Sequence, residues 1–150
     1  QQGSDLVVAA VAAVHDYPVP QILIDMGTAT TVSVIDKSGA FIGKMILPGV
    51  MISLDALSSR AAQLPKVSLD PPKKLIGSNT VDSMKSGILY GSAGALDGLI
   101  DRIQEELGEP CTLIATGGLA RVIVPLCRNR ILLDEELLLR GLLLLYEKNC

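Results

Sequence analysis

The sequence predicts an α/β fold that starts with a three-stranded antiparallel meander. Three apolar, β-branched runs follow one another, separated by turn residues, at 22–24, 32–35 and 40–47. Such runs joined by short turns are typical of successive hairpins. Beyond the meander, helical patterns alternate with short buried strands at 111–115 and 131–133. The predicted order is helix, three strands, helices, strand, helix, strand, helix.

Composition limits the class of protein. The chain has 150 residues, of which 49% are hydrophobic, so it can form one domain or one lobe of a larger enzyme. Its net charge is −3 and its 13 basic residues are scattered, which argues against a nucleic-acid surface. Three cysteines without metal or redox spacing indicate reduced thiols and a cytoplasmic protein.

Neither a signal peptide nor a membrane span is predicted. No basic region precedes the first apolar stretch. Arg140 interrupts the leucine cluster at 137–145, well short of the roughly 20 apolar residues that a span requires. The chain starts at Gln1 without a methionine, and we expect the natural start of the protein to be absent.

The first segment predicts a helix that Ser4 caps and that runs to about His15, with Asp5 in its first turn. Its valines and alanines make it apolar nearly all round, which predicts burial between two layers. His15 is interpreted as the C-terminal cap of this helix, with a catalytic role as the alternative. Tyr17 to Pro20 then breaks the helix.

The stretch from Gln21 to Asp36 carries the strongest chemical pattern. A short apolar run ends at Asp25, and Gly27 and Thr28 follow in a tight turn. A carboxylate beside amides and hydroxyls suits a cation bound to a polyphosphate. The alternative is an Asx-type turn that only closes a hairpin.

Two segments after the meander are less informative. A helix is predicted at 50–63, with one apolar face that consists of Ile52, Leu54, Leu57 and Ala61. Prolines and lysines at 64–78 predict an exposed excursion, in which Val67 and Leu69 are candidates for a short edge strand.

A long helix is predicted from Thr80 to Leu107, stopped by Gly108. Four glycines form one stripe along it, Gly87, Gly91, Gly94 and Gly98. Each costs about 1 kcal/mol against alanine in a helix interior, so a close neighbour must compensate. We favour a second helix over a ligand as that neighbour.

The last third contains one further glycine turn. The strand at 111–115 leads into Gly117 and Gly118 before a helix predicted at 119–127. Glycines between a strand and a helix let a phosphate or a flat group lie on the backbone, although such turns also occur without a ligand. Asp134 is predicted to cap a final helix at 135–148 whose leucines bury most of its length.

This order of elements is that of the ribonuclease-H-like lobe found in the actin-like ATPases and sugar kinases.

Five short blocks, in order, resemble the type III pantothenate kinases. The blocks are Asp25–Thr31, Ile46–Gly49, Arg60–Pro65, Ile76–Thr80 and Ala115–Leu119. The resemblance implies that residues 1–20 are a lead-in helix and residues 21–150 a second ribonuclease-H-like lobe, with the first lobe absent from the chain. The same resemblance implies ATP-dependent phosphorylation of pantothenate, the first step of coenzyme A synthesis. It also implies a monovalent cation (potassium or ammonium), magnesium with the ATP, and a homodimer formed through the helix at 80–107.

The resemblance assigns roles to individual residues. Gly3-Ser4-Asp5 matches the start of the family's Gly-x-Asp-Arg motif, so Asp5 would be the catalytic base. Asp25 would bind the cation. The remaining assignments are substrate contacts at Gly3, Ser4, Leu6 and Thr80, and nucleotide contacts at Gly27, Thr28, Gly117 and Gly118.

Two positions depart from the family pattern. Leu6 stands where the family has an arginine suited to gripping a carboxylate, and Ser33 stands where the family often has aspartate. Two alternatives therefore stay open: a catalytically inactive relative that acts as a binding or regulatory protein, and a lobe of another actin-like kinase or ATPase.

Overall fold

A mixed sheet of five strands forms the middle layer of the structure, a computed structural model that describes residues 2–60 and 68–148. The strands are β1 (Gln21–Met26), β2 (Ala29–Ile35), β3 (Phe41–Pro48), β4 (Thr112–Thr116) and β5 (Leu132–Leu133). Their order is β3-β2-β1-β4-β5. The first three pair antiparallel, and β4 and β5 add in parallel beside β1. The predicted meander and the ribonuclease-H-like fold are confirmed.

Helices cover both faces of this sheet. They are α1 (Gln2–Asp16), α2 (Val50–Arg60), α3 (Thr80–Leu107), α4 (Ala120–Ile123) and α5 (Leu137–Lys148). Alternate residues of a strand point to opposite faces. Ile22 and Ile24 therefore pack in the cluster that contains α3 and α4 residues, whereas Leu23 packs with α1 and α5 residues. No helix within the described ranges is long and apolar enough to cross a membrane.

Helix α3 follows the prediction closely. The side chain of Asn79 accepts a hydrogen bond from the Asp82 amide, and Gly108 ends the helix with a left-handed φ of 74°. Both ends therefore have the capping chemistry that their sequence predicts. The helix buries one face against the sheet, through Met84, Ser86, Leu89, Ala93, Leu96 and Ile100.

The prediction for α1 was partly wrong. The helix begins at Gln2, so Ser4 lies inside it and not at its cap. Val7 and Val14 are 63% and 39% exposed, although burial between two layers was expected. The helix packs through its small face, the alanines at 9, 12 and 13, because these let it lie close to the sheet and α5.

The leucine-rich helix α5 is also less buried than predicted. Leu139, Leu142 and Leu143 are all at least half exposed, and the buried positions are Leu137 and Gly141. In the described part of the chain, α1 is the helix that packs extensively against α5, and it covers only one side of this 12-residue helix. In α2 the predicted face was partly wrong as well, since Leu54 is buried as expected, together with Val50, while Ile52 and Leu57 are exposed.

Three boundaries differ from the prediction. The helix expected at 119–127 ends at Ile123 and continues as a 3₁₀ turn around Pro125, whose nitrogen cannot donate a helical hydrogen bond. Helix α5 starts at Leu137, and Asp134 accepts a hydrogen bond from the Glu136 amide at 3.2 Å. Leu69 lies in a bend and not in a strand. The predictions for Ala61, Gln63, Val67 and Cys150 fall outside the described residues.

Candidate functional site

The carboxyl ends of β1 and β4 bring two glycine turns together. The strands are parallel neighbours, and Asp25 pairs in register with Thr116. The turn at Gly27 and Thr28 therefore starts beside the turn at 117–118, although about 90 residues separate them in the chain. On the other side, Asp25 faces Thr31 of β2. Asp25 thus lies between two threonines at the edge of the sheet.

Gly117 occupies a place that only glycine can take. Its φ is 102°, and a Cβ built on it would lie 2.6 Å from the Met26 carbonyl carbon. The turn therefore touches the end of β1 backbone to backbone. At Gly118, by contrast, a Cβ would meet no described atom within 4 Å. The backbone of Gly118 is the uncovered part of this turn.

Gly49 supports the site, although the sequence pattern gave it no role beyond the Ile46–Gly49 block. A Cβ there would lie 1.9 Å from the Thr28 carbonyl oxygen. The start of α2 therefore packs directly on the turn that follows Asp25. The Pro48-Gly49 pair was the available signal, but nothing in the sequence indicates which backbone it approaches.

The carboxyl group of Asp25 is electrostatically uncompensated. Burial raises its pKa above the usual value, and the negative charge of Asp5 raises the pKa further. Within residues 2–60 and 68–148, Asp25 takes part in no ion pair. A half-buried carboxylate next to a second negative charge and without a basic partner is suited to binding a cation.

Asp5 lies close enough to Asp25 to raise the pKa of that carboxyl group, because α1 runs antiparallel to β1. The Gln21 side-chain amide donates to the carbonyl oxygens of Ala13 (2.7 Å) and Tyr17 (2.9 Å), which fixes the helix at the start of the strand. From Ala13 to Asp5 the helix rises about 12 Å, and from Gln21 to Asp25 the strand extends about 13 Å. The two carboxylates therefore end at the same level.

Two of the predicted substrate contacts, Leu6 and Thr80, line cavities away from Asp25. Leu6 is 6% exposed and lines an apolar groove of about 1020 Å³ between α1, α5 and the meander, so it adds no polar group. Thr80 lines a different cavity, of about 510 Å³, with Leu57 and Asn79. Gly3 and Ser4 belong to the first turns of α1.

The glycine stripe of α3 faces outward. All four glycines are exposed, and a Cβ at any of them would meet no described atom within 4 Å beyond its own helical turn. The four glycines and the buried residues of α3 both recur at helical spacing, and the two sets are offset by about half a turn. The stripe therefore lies on the side of α3 opposite its buried face. Gly87 and Gly91 also line a cavity of about 240 Å³ that reaches Met26 and Thr30. The predicted close neighbour is therefore not another described part of this chain.

Comparison with known proteins assigns the family. The type III pantothenate kinase family model matches residues 1–102. The chain belongs to the type III pantothenate kinase family. Type III pantothenate kinases are 47% identical to it in Frankia alni, 49% in Rubrobacter xylanophilus and 44% in Syntrophus aciditrophicus. These alignments cover 98–99% of this chain and 58–60% of each relative, so the chain spans about three fifths of their length.

Solved structures share the fold of this family member. A conserved Baf-family protein from Campylobacter jejuni superposes with a TM-score of 0.64 at 22% identity, over 95% of this chain and 64% of that one. The activator of 2-hydroxyisocaproyl-CoA dehydratase from Clostridium difficile, solved with bound ADPNP, gives 0.56 at 15% identity, over 91% and 62%. These likenesses agree with an actin-like lobe.

Proposed function

We propose that the full-length protein transfers the γ-phosphoryl group of ATP to the primary hydroxyl of pantothenate, the first step of coenzyme A synthesis. The observation that carries the proposal is the convergence of Asp5 and Asp25 at the sheet edge where two glycine turns meet. Membership of the pantothenate kinase family supplies the substrate. Phosphoryl transfer needs little covalent chemistry from a protein beyond positioning and charge stabilisation, and this edge offers groups for both.

The two aspartates and the two glycine turns each have a separate role in this reaction. Asp5 accepts the proton of the attacking hydroxyl, for which an exposed carboxylate beside the nucleotide is suited. Asp25 holds a potassium or ammonium ion, which would offset phosphate charge. Gly27 and Thr28 offer donors to the phosphates, and magnesium enters with the ATP. The uncovered backbone of Gly118, together with Gly117, would lie against the adenosine.

Leu6 favours a second candidate function, that of a binding protein without kinase activity. Its side chain is buried and apolar, so it cannot hold the carboxylate of pantothenate as the family arginine would. A turnover assay separates the two. ADP release by the full-length protein should require both pantothenate and potassium. Binding of ATP without pantothenate-dependent ADP release would support the binding protein.

Replacing Asp25 by asparagine should weaken ATP binding in potassium while it stabilises the unliganded protein. The raised pKa means that the folded state binds this proton more tightly than the unfolded state. The ionised form therefore destabilises the fold at neutral pH, and this penalty disappears as the pH falls through the pKa of the folded state. Calorimetric titration of ATP in potassium, compared with sodium, should show an affinity loss of about tenfold or more, as expected for a lost charge contact.

Thermal unfolding controls this experiment. The melting temperature of the Asp25→Asn protein should be higher than that of wild type at pH 7, and the two should converge in acid. Equal ATP affinities with and without potassium in both proteins would make Asp25 a turn residue only.

We further propose that α3 pairs with its twin in a homodimer. The exposed glycine stripe allows another helix to approach closely, and no other described part of the chain fills it. Gly91→Leu should be tolerated by the monomer, because a side chain there meets open space. Overpacking of the dimer contact should cost about 1–3 kcal/mol and raise the dissociation constant by about 5- to 150-fold. Sedimentation velocity measures the shift.

The matched control is Glu106→Leu, an exposed position on the same helix about 90° around from the stripe. It should leave the dimer intact. A Gly91→Leu protein that sediments as wild type would remove the stripe from the interface.

A further inference from the structure

Helix α5 contacts helix α1 backbone to backbone at Gly141. A Cβ built at Gly141 would lie 2.1 Å from the Val8 carbonyl oxygen and 2.8 Å from the Val8 carbonyl carbon. Gly141 is fully surrounded in the α1–α5 contact, and any side chain there must push the helices apart. Val8 lies one helical turn from Asp5. This close α1–α5 contact therefore lies one helical turn from the proposed base.

Arg140, the residue before Gly141, forms hydrogen bonds that hold the C-terminal end of α1. The Arg140 Nε donates to Asp16 Oδ2 at 2.8 Å, and its Nη1 donates to Asp134 Oδ1 at 2.8 Å. Arg140 Nη2 also donates to Asp134 Oδ2, which in addition accepts a hydrogen bond from the Tyr17 hydroxyl at 2.6 Å. Asp134 is 8% exposed and directly follows β5, so the network connects the end of α1 to the sheet.

Together these contacts fix the tilt of α1. Asp5 lies about 16 Å along the helix from Asp16, so a tilt of about 5° about that end moves Asp5 by more than about 1 Å. A misplacement of about 1 Å can cost on the order of 100-fold in rate when a group must meet a reacting atom. The contacts that set this tilt therefore determine the distance between the Asp5 carboxylate and the hydroxyl group that it would deprotonate.

We propose that Arg140 and Gly141 are positioning residues that hold Asp5 at the reacting hydroxyl by fixing α1 against α5. The inference rests on the proposed function, because it requires Asp5 to be the base. Neither residue belongs to the glycine turns or to the Asp25 cluster. Gly141 acts through its contact with α1, and Arg140 acts through α1 and through Asp134, whose amide donates to the Ala115 carbonyl oxygen of β4 at 2.8 Å.

A double-mutant cycle in the full-length kinase tests this role. Gly141→Ala should lower kcat by about 10- to 100-fold with little change in the KM for ATP, because the proposed nucleotide contacts are not on α1. In an Asp5→Asn background, the same substitution should produce no further loss. A purely structural glycine would lower kcat by the same factor in both backgrounds, and that result would overturn the positioning role.

Two further variants make the outcome unambiguous. Arg140→Lys keeps the charge but loses the forked contact to Asp134, so it should show a smaller loss of kcat and the same dependence on Asp5. It takes the place of Gly141→Ala in the cycle if that protein does not fold. Gly43→Ala is the control, because a Cβ there meets no described atom within 4 Å, and its kcat should equal that of wild type. A wild-type kcat for Asp5→Asn would instead overturn the role of Asp5 and this inference with it.

Discussion

Replacing Asp5 by asparagine in the full-length protein should lower kcat by about 10²- to 10⁴-fold, the usual contribution of a general base. Asparagine keeps the size of the side chain but cannot take a proton. The exposed position of Asp5 in the first turn of α1 makes little contribution to packing, so the melting temperature should change by no more than a few degrees. Steady-state kinetics with pantothenate and ATP measures the loss.

Asp55→Asn serves as the control for Asp5→Asn. Asp55 is an exposed carboxylate on α2 with no role in the proposed site, and its removal should leave kcat unchanged. If both variants retain wild-type turnover, Asp5 is only a favourable residue at a helix N-terminus.

Gly117→Ala should destabilise the protein by about 2–4 kcal/mol, the sum of a left-handed backbone strained by a side chain and of overpacking. The Cβ would be forced against the backbone of Met26, where no side-chain rotation can relieve the contact. The melting temperature should fall by about 4–16 °C for a protein of this size.

The neighbouring glycine provides a matched control. Gly118→Ala adds the same methyl group where a Cβ meets no described atom, so it should leave the melting temperature nearly unchanged. If the binding of adenosine uses this uncovered backbone, Gly118→Ala should nonetheless weaken ATP binding. Equal melting temperatures for the two variants would contradict the described contact between Gly117 and β1.

Local chemistry made part of the fold predictable. The ends of α3 follow from Asn79 and Gly108, and the meander follows from β-branched runs separated by turns. These signals lie within a few residues of the structure that they determine. The two glycine turns and the place of Asp25 at the end of β1 were predictable for the same reason, because each strand end and the turn that follows it are adjacent in the chain.

Features that depend on contacts distant in the chain were not predictable. The leucines of α5 predict burial, but only tertiary packing decides how many neighbours cover that helix. Gly141 packs on the backbone of Val8, and Gly49 packs on the backbone of Thr28. Each contact joins two segments that are far apart in the chain or in different elements, so no local sequence pattern predicts it. The proximity of Asp5 to Asp25 follows from the antiparallel packing of α1 on β1, which no local sequence pattern indicates.

The phosphorylated product tests the proposed function most directly. Phosphorus NMR of the full-length protein with ATP, pantothenate and potassium should show a phosphomonoester on the primary hydroxyl of pantothenate, formed in step with ADP. The Asp5→Asn protein should form it at least about 100-fold more slowly. If ATP binds to the wild-type protein but no pantothenate phosphomonoester appears, the protein is not a pantothenate kinase in its own right, and the binding role replaces the catalytic one.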